Sequence, residues 1–176
     1  MKNLLKLYLF SMLMLQINIC KAQSVKLPAD QVKKVSDFEN FYESGDFFFG
    51  GQPTLEALSY AKESGVKTLI NLRSDDENKE FTKLAFSEEK VVTDLGIKYV
   101  SIAMKGKEAF TPKTLNEFTE VVEKAEGKVY VHCKTGGRVT LVMMAYLIKH
   151  KNYTLERAET FGQQLTYFNY LNALLE

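Results

Sequence analysis

The stretch VHCKTGGRVT, Val131 to Thr140, decides the fold. It closes an apolar, β-rich run, KVYVH (128–132), passes through two glycines, and enters RVTLVMMAYLIKH (138–150). That last segment is apolar nearly all round, the pattern of a helix buried on every side. The spacing therefore predicts strand, glycine loop and buried helix in sequence. Cys133 stands where the strand ends, and Arg138 where the helix begins.

Further strands and helices alternate on either side. DFFFG (46–50), VKTLINL (66–72) and IKYVSIA (97–103) are short apolar runs of strand length. Between them, QPTLEALSYAKESG carries Leu55, Leu58 and Ala61 at helical spacing and stops at Gly65. DDENKEFTKLAFSEEKVVTDLG (75–96) opens with acids suited to a helix N-terminus and predicts one helix ending at Gly96. TPKTLNEFTEVVEKAEG (111–127) has Thr111 as a cap and Pro112 at the first helical position. YTLERAETFGQQL and YFNYLNALLE close the chain as helices. Strands alternating with helices predict an α/β fold with a mostly parallel central sheet flanked by helices. No internal repeat or second domain interrupts the pattern.

The first residues read differently. MKNLLKLYLFSMLMLQINICKAQS has lysines at 2 and 6, an apolar segment from Leu7, and Ala22 before Gln23. This is the layout of a secretory signal peptide over 1–22. Gln16 and Asn18 interrupt the apolar run, which disfavours a membrane anchor needing about 20 apolar residues. Ile19 disfavours a lipoprotein signal ending at Cys20. Residues 23–45 follow as a loosely held leader, and the folded domain is expected over 46–176. Cleavage after Ala22 removes Lys2, Lys6 and Lys21, so basic residues fall from 23 to 20 against 22 acidic ones, and the net charge moves from +1 to −2. It also removes Cys20 and leaves Cys133 as the single cysteine. An exported lone cysteine is a buried hydrophobe, an intermolecular link or a working thiol. No run of one charge sign points to nucleic acid, and no stable membrane span remains after cleavage.

The position of Cys133 favours the working thiol. In open α/β sheets ligands bind at the carboxyl ends of strands. The loop Lys134, Thr135, Gly136, Gly137 can turn backbone N–H groups inward as an anion nest, and the following helix adds the positive end of its dipole. The same field favours a thiolate at Cys133. Arg138 offers a planar fork to two oxygens of an anion. A thiolate and an oxyanion site in one loop make a nucleophilic centre.

At these residues the chain resembles the cysteine-dependent protein tyrosine and dual-specificity phosphatase superfamily, which carries His-Cys, five residues, then Arg on a strand–loop–helix. It is similar above all to a bacterial branch, the phosphatase-like domain of beta-lactamase-hydrolase-like proteins. That branch has GQP near its start, a strand ending in NLR, and a shortened cysteine loop. Here these are Gly51-Gln52-Pro53, Asn71-Leu72-Arg73 and His132-Cys133-Lys134-Thr135-Gly136-Gly137-Arg138. The resemblance covers about residues 46–150. It implies a phosphatase-like domain at 46–176 with Cys133 as nucleophile, acting through a covalent cysteinyl-phosphate. Arg138 and the loop amides would bind the anion, and His132 would orient or tune the thiolate. The substrate would be a phosphorylated or sulfur-bearing anion, with no cofactor, in a protein that is periplasmic or secreted.

Two departures qualify that expectation. Four residues, not five, separate Cys133 from Arg138. A shorter ring makes a smaller cradle, similar to that of rhodanese-type sulfurtransferases, which hold a persulfide sulfur on the cysteine. The superfamily's loop aspartate is also missing: IAMKGKEAFTP offers only Glu108 as a carboxyl group. A sulfurtransferase and a non-catalytic oxyanion-binding protein therefore stand beside the phosphatase. Several residues also have plainer roles. His132 can be a strand-end residue bonded to backbone. Arg73, beside Asp75 and Asp76, reads as a structural ion pair supporting the site, worth about 0–1 kcal/mol at a surface. Lys105 and Lys107 belong to a solvated loop or attract an anion. Two histidines and one cysteine without ligand spacing make a poor metal site.

Overall fold

The computed structural model describes residues 25–28, 30–35, 37–80, 86–105 and 110–165. Its sheet has six strands: β1 (Lys33–Lys34), β2 (Phe41–Ser44), β3 (Phe47–Gly50), β4 (Val66–Asn71), β5 (Lys98–Ser101) and β6 (Lys128–His132). They lie in the order β1-β2-β3-β6-β4-β5. The first two pairings are antiparallel. The other three, β3 with β6, β6 with β4 and β4 with β5, are parallel.

Alternation along the central strands sorts side chains to two faces. Phe47 and Phe49 of β3, Ile70 of β4, and Val129 and Val131 of β6 enter one core. Phe48, Leu69 and Tyr130 enter the other. Such residues, buried on both sides, read as continuous apolar runs because crossover helices cover both faces of a parallel sheet. Helices α1 (Leu55–Glu63) and α3 (Glu88–Asp94) cover the second face through Leu58, Ala61 and Val92. Helices α4 (Pro112–Glu123), α5 (Gly137–Lys151) and α6 (Leu155–Gln163) cover the first. α5 is buried continuously from Val139 to Leu147, which is why its sequence has no polar face. The remaining helix, the one-turn α2 (Asp75–Lys79), has no buried residue.

Caps set the helix starts. Thr54, Thr111 and Thr154 each accept a backbone N–H of the first turn with their side-chain oxygen. Pro112 follows Thr111, as expected. The single helix expected over 75–96 is instead two, α2 and α3. Ser74 and Glu77 close a capping box around α2, and the chain starts again at Ser87, the residue before α3. The break brings Glu88 into the interior at 5% exposure, where an acid on a continuous surface helix would face water.

The leader also differs from expectation. Its residues 33–34 and 41–44 are strands β1 and β2 of the sheet. Upstream of them, the Asp46 N–H donates to the Lys26 carbonyl, the Tyr153 hydroxyl to the Pro28 carbonyl, and the Val32 N–H to Gln164 Oε1. These partners lie up to 132 residues away, so no local pattern announces them. The residues expected to form a signal peptide, 1–22, and those expected to form the closing helix, YFNYLNALLE, lie outside the described residues. Among the described residues no helix is long and apolar enough to cross a membrane.

Gly45, in the β2–β3 turn at φ 60°, sits directly under this strap: a Cβ there would lie 2.3 Å from the Leu27 carbonyl oxygen. Gly45→Ala combines left-handed strain with a backbone clash and is expected to cost about 1–3 kcal/mol. Urea unfolding measures it; an unchanged midpoint would mean the strap contributes nothing to the fold.

Candidate functional site

The three motifs singled out in the sequence meet at the carboxyl ends of three adjacent parallel strands. Gly50 pairs with His132, and His132 pairs with Asn71, across β3, β6 and β4. The segments that leave these strands are therefore neighbours. The Cys133 N–H donates to the Gly50 carbonyl at 3.3 Å, the Leu72 N–H to the His132 carbonyl at 2.8 Å, and the Gln52 N–H to the Lys134 carbonyl at 3.1 Å.

Cys133 lies at the floor of the loop, 1% exposed. The loop turns back over it because Gly136 adopts φ 99°, a conformation open to glycine and costly for other residues. That turn aims the Gly136 N–H at Cys133 Sγ, 3.1 Å away. α5 begins at the next residue, so the sulfur also faces a helix N-terminus. Lys134 and Thr135 form the exposed outer edge. Beyond it opens a cleft of about 670 Å³ whose wall includes Phe38, Phe41, Gln52 and Pro53 together with these two residues.

Arg138 reaches back across the strand ends. Its Nη1 donates to the carbonyls of Leu72 at 3.1 Å and Met104 at 2.8 Å. Both terminal nitrogens grip Glu77, Nη1 on Oε2 and Nη2 on Oε1. The guanidinium fork is thus held by an internal carboxylate. Burial works against the cation, but the Glu77 hydrogen bond and the charges of Cys133 and Glu77 outweigh it and raise the Arg138 pKa. The reciprocal effect is larger: chiefly through its hydrogen bond to Arg138, Glu77 is lowered to about 2.

Arg73 differs from expectation in its depth: it is 5% exposed and so does not lie at the surface. Its Nη1 donates to Gln52 Oε1 at 2.9 Å and its Nη2 to the Glu77 carbonyl at 2.7 Å. Asp76 instead pairs with Lys105 and Lys79 at the surface. Arg73 consequently ties the GQP segment to α2. Lys107 and Glu108 fall outside the described residues. Among the described residues no three His, Cys, Asp or Glu side chains cluster as a metal site would require.

His132 is fully buried. Its Nδ1 lies 3.3 Å from the Cys133 carbonyl oxygen and its Nε2 lies 3.0 Å from Glu88 Oε1. Glu88 also accepts from the side-chain amides of Gln52 and Asn71. The sequence reasoning missed both carboxylates of the site. Glu77 had a signal, the Ser-x-x-Glu spacing of a capping box. Glu88 had none, since it looks like any acid at the start of an amphipathic helix.

The sequence and the fold match known proteins. A family model described as "DSP-PTPase phosphatase fused to NAD+ Kinase" matches residues 16–168. The dual specificity protein phosphatases CDC14C of Symphalangus syndactylus and Homo sapiens are each 31% identical over 106 residues, 60% of this chain. The match spans only about a fifth of the length of these curated relatives. Among solved structures, a DUF442 protein from Shewanella putrefaciens CN-32 superposes with a TM-score of 0.60 at 24% identity, covering 80% of this chain and 91% of that one. The core catalytic domain of the PP-IP phosphatase SIW14 from S. cerevisiae gives a TM-score of 0.57 at 20% identity over 74% and 78% of the two chains. A cysteine-to-serine variant of P. aeruginosa TpbA, solved in complex with pTyr, gives 0.55 at 15% identity over 82% and 93%. The family model covers most of the sequence, and the chain belongs to this DSP-PTPase family of the cysteine-dependent phosphatase superfamily.

Proposed function

We propose that this chain is an exported phosphatase that cleaves phosphate monoesters through a covalent intermediate on Cys133. The observation that carries the proposal is the Gly136 N–H on Cys133 Sγ at a helix N-terminus. The same amide and dipole that stabilise a thiolate can stabilise the oxygens of a phosphoryl group arriving at that sulfur. The thiolate attacks phosphorus and forms the S–P bond as the P–O bond to the leaving group breaks. The departing oxygen takes a proton. Water then attacks the cysteinyl-phosphate, releasing inorganic phosphate and returning the thiolate. Arg138 supplies positive charge to the phosphoryl oxygens from its place beside Cys133, with Glu77 fixing its plane. Glu108, the carboxyl group of the segment IAMKGKEAFTP, is the proton donor for poor leaving groups. A second proposal, sulfur transfer through a Cys133 persulfide, draws support from the four-residue loop, which is short for three phosphate oxygens.

Activity on an aryl phosphate, on an alkyl phosphate, and on thiosulfate with cyanide separates these proposals. Purified residues 23–176 are expected to hydrolyse both phosphates, and Cys133→Ser to abolish both. Glu108→Gln is expected to slow the alkyl ester by about 10²–10⁴-fold and barely affect the aryl ester, whose leaving group needs no proton. Equal alkyl rates would remove the acid role. Thiocyanate production without phosphate release would replace phosphatase with sulfurtransferase; neither product would leave an anion-binding protein.

Export has its own test. The mass of the protein recovered from the cell envelope is expected to correspond to a chain starting at Gln23, and a cytoplasmic chain retaining Met1 would overturn it.

The Glu77 clamp predicts a pH dependence of stability. Its folded-state pKa of about 2 lies below the ordinary value of 4.5, so its stabilisation is present above pH 4.5 and is lost as pH falls toward 2. Glu77→Gln keeps a capping-box side chain but removes the charge. The variant is expected to be about 1.5–3 kcal/mol less stable at pH 7. The gap should close between pH 4.5 and 2 in parallel denaturant titrations; a gap constant with pH would mean that the charge of Glu77 is not what holds Arg138.

A further inference from the structure

The chemistry at Cys133 makes no use of the cleft beside its loop. At about 670 Å³ this cleft has room for far more than a phosphate ion. It joins the loop directly: the Gln52 N–H donates to the Lys134 carbonyl, and a Cβ on Gly51 would stand 3.1 Å from that same oxygen. Thr135, on the shared edge, is two residues from Cys133, a chain span of at most about 7 Å. A peptide phosphorylated at a residue docked on Cys133 would therefore enter the cleft within one or two residues.

Backbone hydrogen bonds fix the far wall. The Val35 N–H donates to the Phe41 carbonyl at 2.9 Å and closes the turn between them, and the Gly51 N–H donates to the Asn40 carbonyl at 3.0 Å. This turn presents the half-buried Phe38, whose ring centroid lies 5.4 Å from those of Phe41 and Tyr60. Buried Pro53 and Tyr130 complete an apolar lining.

Charge around that lining is one-sided. Asp37, Glu39 and Glu56 are exposed along it, and the one cation among the described lining residues, Lys134, stands at the cysteine loop. A backbone N–H at the start of α1 holds the Glu56 carboxyl below its ordinary range, so it is ionised at neutral pH. A cation beside the phosphate and carboxylates farther out match a phosphoester whose other end is positive. A ligand with several phosphates would set its further ones against three carboxylates. A guanidinium suits both surfaces, since it lies flat against an aromatic face and donates to carboxylates in its own plane. A small aminoalkyl phosphate would leave most of the cleft to water, whereas a short peptide fills it.

We propose that this cleft is a substrate subsite that selects phosphopeptides carrying an arginine one or two residues from the phosphorylated side chain. The proposal rests on the phosphatase reading above for the phosphate at Cys133 and adds the kind of substrate that reading leaves open.

Binding tests it apart from turnover. Two fluorescent phosphotyrosine peptides, identical except for arginine or glutamate at the flanking positions, are titrated into the Cys133→Ser protein. The arginine peptide is expected to bind roughly five- to tenfold more tightly at low salt. That difference is expected to shrink as salt rises. Glu39→Lys with Glu56→Lys, checked for folding by circular dichroism, is expected to reverse the order. Equal affinities or a preference for glutamate would overturn the proposal, whether or not the charge-reversed protein folds. An unaltered order in a folded charge-reversed protein would overturn it too. Phosphoethanolamine is expected to displace the arginine peptide no better than inorganic phosphate does; better displacement would replace the peptide with a small aminoalkyl phosphate. With Cys133 intact, hydrolysis of an aryl phosphate without any peptide preference would keep the phosphatase reading and remove the subsite. An arginine preference in a protein that hydrolyses neither peptide nor aryl phosphate would sustain the subsite and remove the phosphatase reading.

Discussion

The parallel pairing of β3, β6 and β4 is the constraint on which the site depends. Gly50, His132 and Asn71 stand side by side across it. A shift of one residue in β6 would turn His132 to the other face and carry Cys133 out of line with Gly50 and Leu72, because side chains alternate with period two. The register is held by apolar strands buried on both faces: Phe47, Phe49 and Val131 on one side, Phe48, Leu69 and Tyr130 on the other. Hydrophobic patterning thus sets the position of a polar site that contributes little to the core itself.

Above those strand ends the buried polar groups have polar partners. Arg138 has Glu77, His132 has Glu88, and Arg73 donates to Gln52 and the Glu77 carbonyl. Unpartnered polar groups at such depth would be costly, and the partnering is what keeps them in place. It also joins segments distant in sequence. GQP, NLR, α2, α3 and the cysteine loop form one hydrogen-bonded group, so none of them can move without disturbing the others' partners.

The central architecture was legible because periodicity and caps are local signals. VKTLINL and KVYVH read as buried strands, Thr111-Pro112 as a helix start, and the apolar run after Arg138 as a buried helix; the structure contains each of them. The placement of Cys133 at a strand end was equally local. What escaped was set by distant partners. Arg73 lies beside two aspartates in sequence, yet bonds to Gln52, 21 residues away. Glu88 resembles a surface acid until His132, 44 residues on, turns out to face it. The strands of the leader were invisible because two residues in β1 and four in β2 are too few to show a period.

The strap over Gly45 bears on the order in which the protein can fold. Asp30 and Val32 are held by Arg157 and Gln164, contacts that close loops of more than 120 residues. Closing such loops is entropically unfavourable until most of the chain is already compact. The segment just upstream of β1 therefore waits for α6, whereas β2 and β3 pair through a local turn. On a ribosome making the protein from its amino end, this early segment would be among the last to settle. Until then Val25, Leu27 and Val32 would be off the core they pack against, an interval in which that apolar surface is open to other chains.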